Sequence, residues 1–358
     1  MKPIYVTKSF LPPLEEFVDK IRSAWDSHML TNDGPLYQEF ERNLREFTKA
    51  PHLVCLGNGT IALQIAIRAL DLKGEVITTP FTHPATSGTL VWENCKPIYV
   101  DIDPETLNID VNKIEEKITS DTTAIMATHV YSNPCDVDAI QLIADKYNLK
   151  VIYDGAHAFG VNYKGKSLLT YGDISMVSFN ATKIMHSIEG AALFVKDSEM
   201  VDYVRRLGYF GLNKTKTAVV QKYGTNAKLI EFCAAIGTIN LKYFSKTLEA
   251  RKKIYEAYVQ RLISNKNIRF QKINESVNHS YMPMIFSSKE LMEKVLLKLN
   301  NEYIYPRQYF YPSLETAYSN EIRCGIAFDI SNRILCFPMS DYLKEEEVDR
   351  ICKLINEV

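Results

Sequence analysis

The stretch VIYDGAH, residues 151–157, joins an apolar, β-rich run to a carboxylate, two small residues and a histidine. Open α/β sheets bind ligands at the carboxyl ends of their strands, so this pattern places a site at Asp154. A carboxylate buried there is costly unless a cation pairs with it, and a protonated pyridine nitrogen is such a cation. A second interpretation stays open at this point, in which Asp154 caps a helix and His157 packs in the core.

Around this stretch, short β-rich runs alternate with segments that favour helices. The alternation extends from about residue 75 to 195 and predicts an α/β protein with a mostly parallel sheet. The predicted strands are Val76–Thr79, Pro97–Asp101, Ala124–Val130, Val151–Tyr153, Ile174–Phe179 and Ala192–Val195.

A second polar run, SFNATK at residues 178–183, also follows an apolar strand. It ends in Lys183. A lysine amine becomes a useful nucleophile when its surroundings lower its pKa from about 10.4, and Schiff-base formation with an aldehyde cofactor is a common use of such an amine. Most lysines are simply solvated, so the position after Asp154 and Ser178 is what singles this one out.

A third run, LGNGT at residues 56–60, places two glycines ahead of a helix predicted to start near Thr60. The free N–H groups at a helix N-terminus favour a phosphate. The third glycine of a dinucleotide fingerprint is missing, since Ala62 stands in its place, which argues against a nicotinamide dehydrogenase, and no P-loop lysine follows. An ordinary turn into a helix is the alternative.

The composition is that of an ordinary soluble globular protein. The 358 residues exceed what one core usually holds, and we predict a large domain over residues 1–245 and a smaller one over 246–358. A formal net charge of -1 argues against a nucleic-acid partner. Seven scattered cysteines without a CxxC pair indicate reduced thiols rather than a zinc site, so we expect no metal and a cytoplasmic location. We also find no signal peptide and no apolar run long enough to cross a membrane.

Taken together, these motifs resemble the sugar aminotransferases of the DegT and StrS group. The resemblance covers nearly the whole chain, from LPP at residues 11–13 and LTNDGP at 30–35 to RILCFP at 333–338. It implies the type I fold of pyridoxal 5'-phosphate (PLP) enzymes, which is aspartate aminotransferase-like, with a large mostly parallel-sheet domain and a smaller C-terminal α/β domain. It also implies PLP, and its amino form PMP, as the cofactor.

Carried over position by position, the resemblance assigns a role to each motif. Gly59 and Thr60 would cradle the cofactor phosphate, and Ser178 would contact it. His83, in the run PFTH at residues 80–83, would stack on the pyridine ring, where the family more often has a larger aromatic residue; a core histidine is the alternative.

The same resemblance makes Asp154 the carboxylate that keeps the pyridine nitrogen protonated and His157 the residue that approaches the ring hydroxyl. Lys183 would hold the cofactor covalently and later carry the proton of the amino acid α-carbon. Family members with a histidine at that position are dehydratases, so Lys183 favours a transaminase.

Two further segments concern the partner subunit and the substrate. The run YGTNAK at residues 223–228 resembles the family segment whose asparagine reaches the phosphate of the neighbouring subunit, so Asn226 implies a homodimer with shared active sites; a β-turn is the alternative. The Lys-rich residues 213–222 just before it predict a solvated loop. In RQYFYP, residues 307–312, Arg307, Tyr309 and Tyr311 are candidate substrate residues, although Gln308 replaces an arginine of the related run.

The resemblance therefore implies a PLP-dependent aminotransferase. It would convert dTDP-4-keto-6-deoxyglucose to the amino sugar with L-glutamate as donor, in O-antigen or other polysaccharide biosynthesis. A 3-keto sugar nucleotide aminotransferase and a regulatory PLP-binding protein without turnover are the alternatives.

Overall fold

A computed structural model describes residues 2–212, 223–319 and 323–358. Its helices, in chain order, are α1 (Leu14–Ser27), α2 (Pro35–Thr48), α3 (Gly59–Ala69), α4 (Pro84–Trp92), α5 (Val137–Tyr147), α6 (Ser198–Leu207), α7 (Glu231–Leu262), α8 (Lys289–Asn301), α9 (Leu314–Ser319), α10 (Gly325–Arg333) and α11 (Glu345–Asn356).

The strands follow the same order. They are β1 (Ile4–Tyr5), β2 (Leu53–Leu56), β3 (Gly74–Thr78), β4 (Cys95–Tyr99), β5 (Thr122–Thr128), β6 (Lys150–Asp154), β7 (Asn162–Tyr163), β8 (Lys166–Ser167), β9 (Ile174–Ser178), β10 (Ala191–Val195), β11 (Ile268–Phe270), β12 (Pro283–Phe286), β13 (Ile304–Tyr305) and β14 (Ile334–Cys336).

A seven-stranded sheet forms the centre of the molecule, in the order β2-β10-β9-β6-β5-β3-β4. The strands from β9 to β4 are parallel, and β10 runs antiparallel to both of its neighbours. The predicted α/β class with a mostly parallel sheet is thus confirmed. All six predicted strands are present, with no bound more than two residues from its predicted position.

Both faces of this sheet are covered by apolar clusters, as a parallel sheet requires. On one face, side chains of α2, α5 and the start of α7, such as Phe40, pack against Tyr153 of β6 and Phe179 after β9. On the other lie those of α3 and α6, such as Leu63 and Val204. The sheet interior is therefore sealed, and its polar side chains gather at the carboxyl ends of the strands.

A long helix, α7, links the central sheet to the C-terminal part of the chain. The sequence predicts two segments, Leu229 to Leu241 and Lys246 to Ser264, but they form one helix of 32 residues because no glycine or proline interrupts residues 238–262. Gly237 lies where the helix crosses α2, and a Cβ there would fall 2.6 Å from Phe40 Cζ.

The C-terminal residues build a separate apolar cluster around the antiparallel sheet β11-β12-β14. The predicted boundary at residue 245 falls inside α7. The N-terminal strand β1 also pairs with β13 of the C-terminal region, although residues 1–245 were assigned to the large domain. The division into two domains remains a prediction.

Candidate active site

Seven of the eight sequence-predicted cofactor residues meet in one cleft at the carboxyl edge of the central sheet. Its volume is about 700 Å³, and Phe310 closes part of it from the C-terminal side. Parallel strands β5, β6 and β9 deliver their last residues to this edge, and α3 and α4 begin beside it. The predicted residues that line the cleft are Gly59, Thr60, His83, Asp154, His157, Ser178 and Lys183.

The N-terminus of α3 forms one end of the cleft. Asn58 caps the helix, and its side chain accepts the N–H of Ile61 at 3.0 Å. Among the described residues, no hydrogen bond takes up the backbone N–H groups of Gly59 and Thr60. Ser178 Oγ accepts the N–H of Asn180 at 3.3 Å, which leaves its own proton to donate. These donors form a site for an anion.

Asp154 ends β6 and is 3% exposed. Its two carboxylate oxygens are held separately: Oδ2 accepts the hydroxyl of Thr86 at 2.6 Å, and Oδ1 accepts the N–H of Ala156 at 3.0 Å. No α-helix starts here, so the helix-cap interpretation does not apply. The carboxylate is fixed in orientation and borders the cleft.

Lys183 follows β9 and reaches the same space. Burial lowers the pKa of its amine, while Asp154 and, more weakly, Tyr309 oppose that shift. The amine lies 3.3 Å from the hydroxyl of Tyr281. Because a lowered pKa increases the neutral fraction of the amine, Lys183 is prepared to act as a nucleophile.

His157 is buried between aromatic rings. It lies parallel to Phe310, with ring centroids 6.0 Å apart, and its pKa is lowered well below 6.5 by burial and by nearby Lys183. Its Nδ1 accepts the N–H of Tyr131 at 3.3 Å. A neutral imidazole that accepts at Nδ1 carries its proton at Nε2, so we assign His157 as a hydrogen-bond donor.

His83 is the N-cap of α4 and an exposed residue of the cleft wall. Its Nδ1 accepts the N–H of Ala85 at 3.2 Å, which fixes the ring at the helix start. Although the residue as a whole is exposed, desolvation of its ring against the cleft wall lowers the pKa of this imidazole. The core-histidine alternative does not fit this placement, and stacking on a flat ligand remains the prediction.

Four predicted residues lie outside the lining of this cleft. Asn226 is exposed, and its backbone forms an isolated antiparallel β-bridge with that of Tyr209. Arg307 donates to the hydroxyl of Tyr309 at 3.1 Å, and Tyr311 is exposed. Their roles toward substrate and partner remain predictions, and the predicted loop 213–222 lies outside the described residues.

Comparison with known proteins assigns the chain to a family. The model of the DegT/DnrJ/EryC1/StrS aminotransferase family matches residues 14–356. The chain belongs to this family. Its type I aminotransferase fold and its enzymatic class, predicted from the motifs, are thereby confirmed.

Among its relatives is the dTDP-4-amino-4,6-dideoxy-D-glucose transaminase of Shigella dysenteriae, which is 41% identical over 100% of this chain and 99% of its own. Among solved structures, DesI in the presence of its TDP-sugar product superimposes with a TM-score of 0.94 at 27% identity, covering 100% of this chain and 93% of DesI. NtdA from Bacillus subtilis with bound PMP has a TM-score of 0.88 at 26% identity, and the match covers 98% of this chain and 85% of NtdA.

PLP and PMP are the cofactors of this aminotransferase family, and the cleft fits them. The free N–H groups at the start of α3 suit the phosphate, and Lys183 supplies an amine for the aldehyde. Asp154 suits the protonated ring nitrogen and His157 the ring oxygen. Each polar group of the cofactor thus has a counterpart of the right chemistry.

Three further residues contact the site residues and are not singled out by any of the sequence motifs. Thr86 holds Asp154, Tyr281 meets Lys183, and Phe310 stacks on His157. Thr86 lies three positions after His83, so a hydroxyl in the first turn of α4 was a usable signal. Tyr281 and Phe310 lie about 100 residues or more from their partners, and no local pattern marks them.

Other features concern the whole chain. All seven cysteines are buried free thiols, as predicted. Within the described parts of the chain, no helix is both long and apolar enough to cross a membrane. In the same residues, no group of three or more His, Cys, Asp or Glu side chains could hold a metal ion.

Proposed function

We propose that this aminotransferase transfers the amino group of L-glutamate to C4 of dTDP-4-keto-6-deoxyglucose and forms the 4-amino-4,6-dideoxy sugar nucleotide. The observation that carries the proposal is the amine of Lys183, half-buried in the same cleft as Asp154 and the open N-terminus of α3. The sugar is suggested by the relative from Shigella dysenteriae, whose name specifies a 4-amino-4,6-dideoxy-D-glucose.

PLP supplies, when bound, an aldehyde carbon that takes up the amino group and a ring that withdraws electrons from it. The chain provides the rest. The N–H groups of Gly59 and Thr60 and the hydroxyl of Ser178 bind the phosphate. Asp154 orients the ring through its nitrogen, and His157 Nε2 donates to the ring oxygen. His83 covers one face of the ring.

Lys183 has two tasks in this proposal. Its neutral amine, favoured by burial, would hold the cofactor through the aldehyde carbon. When it is free, Nζ would accept the proton of the glutamate α-carbon and pass it to the cofactor carbon that bears the nitrogen. In the second half of the reaction Nζ would carry a proton the other way, from that cofactor carbon to the sugar carbon that receives the nitrogen. Tyr281 keeps Nζ in place between these tasks by its hydroxyl.

The active enzyme is, in this proposal, a cytoplasmic homodimer that serves polysaccharide biosynthesis such as O-antigen formation. Asn226 is exposed and lies outside the cleft of its own subunit, which suits a residue that completes the phosphate site of a partner. Arg307, Tyr309 and Tyr311 lie next to Phe310 at the C-terminal side of the cleft and are the proposed contacts to the sugar nucleotide.

The test is a direct assay of both substrates. Purified protein loaded with PLP is incubated with L-glutamate and, separately, with 4-keto and 3-keto dTDP-deoxysugars, and the product amine is located by NMR. We expect amination at C4 with release of one 2-oxoglutarate per amine, and none with the Lys183→Ala variant. Amination at C3 would replace the proposed substrate, and no amination of any sugar would refute the proposed function.

A further inference from the structure

Three buried threonines form a continuous chain of hydrogen bonds that ends on Asp154. Thr86 Oγ1 lies 2.6 Å from Asp154 Oδ2, Thr82 Oγ1 lies 2.9 Å from Thr86 Oγ1, and Thr128 Oγ1 lies 2.9 Å from Thr82 Oγ1. Thr82 and Thr86 are 0% exposed and Thr128 is 3% exposed. Thr82 and Thr86, just before and within the first turn of α4, meet through local sequence, whereas Thr128 at the end of β5 and Asp154 join them through the fold.

The direction of the protons in this chain follows from its end. An ionised carboxylate is an acceptor without a proton to give, so Thr86 must donate to Asp154. Its single proton is then committed, and it can only accept from Thr82, which in turn accepts from Thr128. All three hydroxyls therefore donate toward the carboxylate, and each bond strengthens the next.

Other buried threonines of this region do not show the arrangement. Thr89, one turn further along α4, donates to the backbone carbonyl of Thr86 at 3.1 Å. Thr78 Oγ1, at the end of β3, is buried and has no hydrogen-bond partner among the described residues. A buried threonine in this part of the core therefore does not necessarily join the chain of hydrogen bonds that ends on Asp154.

We propose that Thr128, Thr82 and Thr86 are positioning residues that hold Asp154 charged and oriented toward the ring nitrogen of the cofactor. The hydroxyls do so from the protein side of a carboxylate that is itself buried. The inference rests on the proposed role of Asp154, and its consequence is graded: removing Thr86 deletes a direct bond to the carboxylate, while removing Thr82 or Thr128 only weakens that bond.

The experiment uses the threonine-to-valine variants T86V, T82V and T128V, since valine keeps the shape and removes the hydroxyl. Thr86→Ser restores the hydroxyl, and Thr89→Val is the matched control in the same helix. For each apoprotein, the affinity for PLP is measured by titration, and the visible absorbance of the bound cofactor is recorded across pH. Thermal unfolding of each apoprotein, without cofactor, reports the fold separately.

We expect T86V to bind PLP about tenfold or more weakly than the wild type, because it loses a hydrogen bond to a charged group. T82V should lose roughly threefold and T128V less, as expected for an effect transmitted through one and two intervening bonds. The pH profile of the absorbance should shift in the same order. Thr86→Ser and Thr89→Val should resemble the wild type in both measurements.

Equal effects in T86V and Thr89→Val, or unshifted absorbance profiles in all three valine variants, would overturn the proposal. If T86V fails to fold, the order of PLP affinities among T82V, T128V and Thr89→Val still tests the proposal. Asp154→Asn separates this inference from the proposed function. If that variant binds PLP like the wild type, the role of Asp154 itself is wrong, whereas a strong effect of Asp154→Asn with none in the valine variants refutes the threonine chain alone.

Discussion

Two cavities of similar size lie on either side of α4, and their chemistry differs. The cleft that holds Lys183 has a volume of about 700 Å³. The second, which we call the α4-side cavity, is larger, at about 820 Å³, and is lined by Gly88, Val91, Trp92, Lys96, Pro97, Ile98, Tyr99, Val100, Asp101, Lys113, Glu116, Lys117, Glu315, Tyr318, Arg323 and Cys324. Size alone would favour the wrong one.

The charged groups of the α4-side cavity already have partners in the fold. Lys117 lies 3.7 Å from Glu116, and both are exposed. Asp101 accepts the backbone N–H groups of Ile326 and Ala327 and so caps the start of α10. In the cleft, by contrast, the amine of Lys183 is half-buried, and the first backbone N–H groups of α3 have no hydrogen-bond acceptor among the described residues. Donors and charges left available, rather than volume, mark the functional cavity.

The largest expected difference between the two cavities is the effect on activity of replacing one lysine in each, Lys183 in the cleft and Lys117 in the α4-side cavity. Lys183→Ala should lower transamination by at least about a hundredfold, because the amine serves as nucleophile and as proton carrier. Lys117→Ala, in the α4-side cavity, should leave kcat and KM unchanged. Initial rates of 2-oxoglutarate release with each variant test this. A comparable loss of activity in both variants would contradict the assignment of the cleft as the active site.

A smaller effect is expected at His157, where the donor at Nε2 is at issue. His157→Phe keeps a ring beside Phe310 but removes the donor, and it should weaken PLP binding about tenfold. His157→Gln, which can still donate, should retain most of the affinity. Titration of the two apoproteins with PLP is the measurement, and an equal loss in both variants would indicate that packing rather than donation matters.

The smallest expected effect is a shift in the pH dependence with which an amine-reactive reagent modifies Lys183. Because burial lowers the pKa of Lys183, its neutral fraction rises at a lower pH than that of a free lysine amine, whose pKa is about 10.4. In the apoprotein, modification of Lys183 by an amine-reactive reagent should therefore reach its plateau at a lower pH. Asp154→Asn should move the plateau lower still, since Asp154 raises the pKa of that amine.

The labelling rate at each pH can be followed by mass spectrometry of the peptide that contains Lys183. A plateau at the pH of a free amine would contradict the lowered pKa. A shift to higher pH in Asp154→Asn would show that the two groups do not interact with the sign derived from the structure.

Much of this site could be predicted from the sequence because its residues mark the ends of strands. Asp154 and Ser178 end apolar strands, Lys183 closes the short polar run after the second of them, and parallel strands carry such residues to one edge. The turn before α3 could be predicted in the same way, from glycines ahead of an apolar periodic segment.

The residues that support this site could not be predicted, since their partners are set by tertiary packing. Thr128 and Thr86 lie 26 and 68 positions before Asp154, and their hydroxyls are ordinary in sequence. Tyr281 reaches Lys183 from a loop ahead of β12, 98 positions away. The continuity of α7 across residue 245, by contrast, could have been predicted, since no glycine or proline interrupts residues 238–262.

The most direct test of the central claim identifies the lysine that holds the cofactor. The protein loaded with PLP is reduced with borohydride, digested, and analysed for peptides that carry the reduced cofactor. We expect a single modified residue, Lys183, and loss of the visible absorbance on reduction. Modification of a different lysine, or a protein that binds PLP without any reducible link, would contradict the assignment of Lys183 and of the cleft around it.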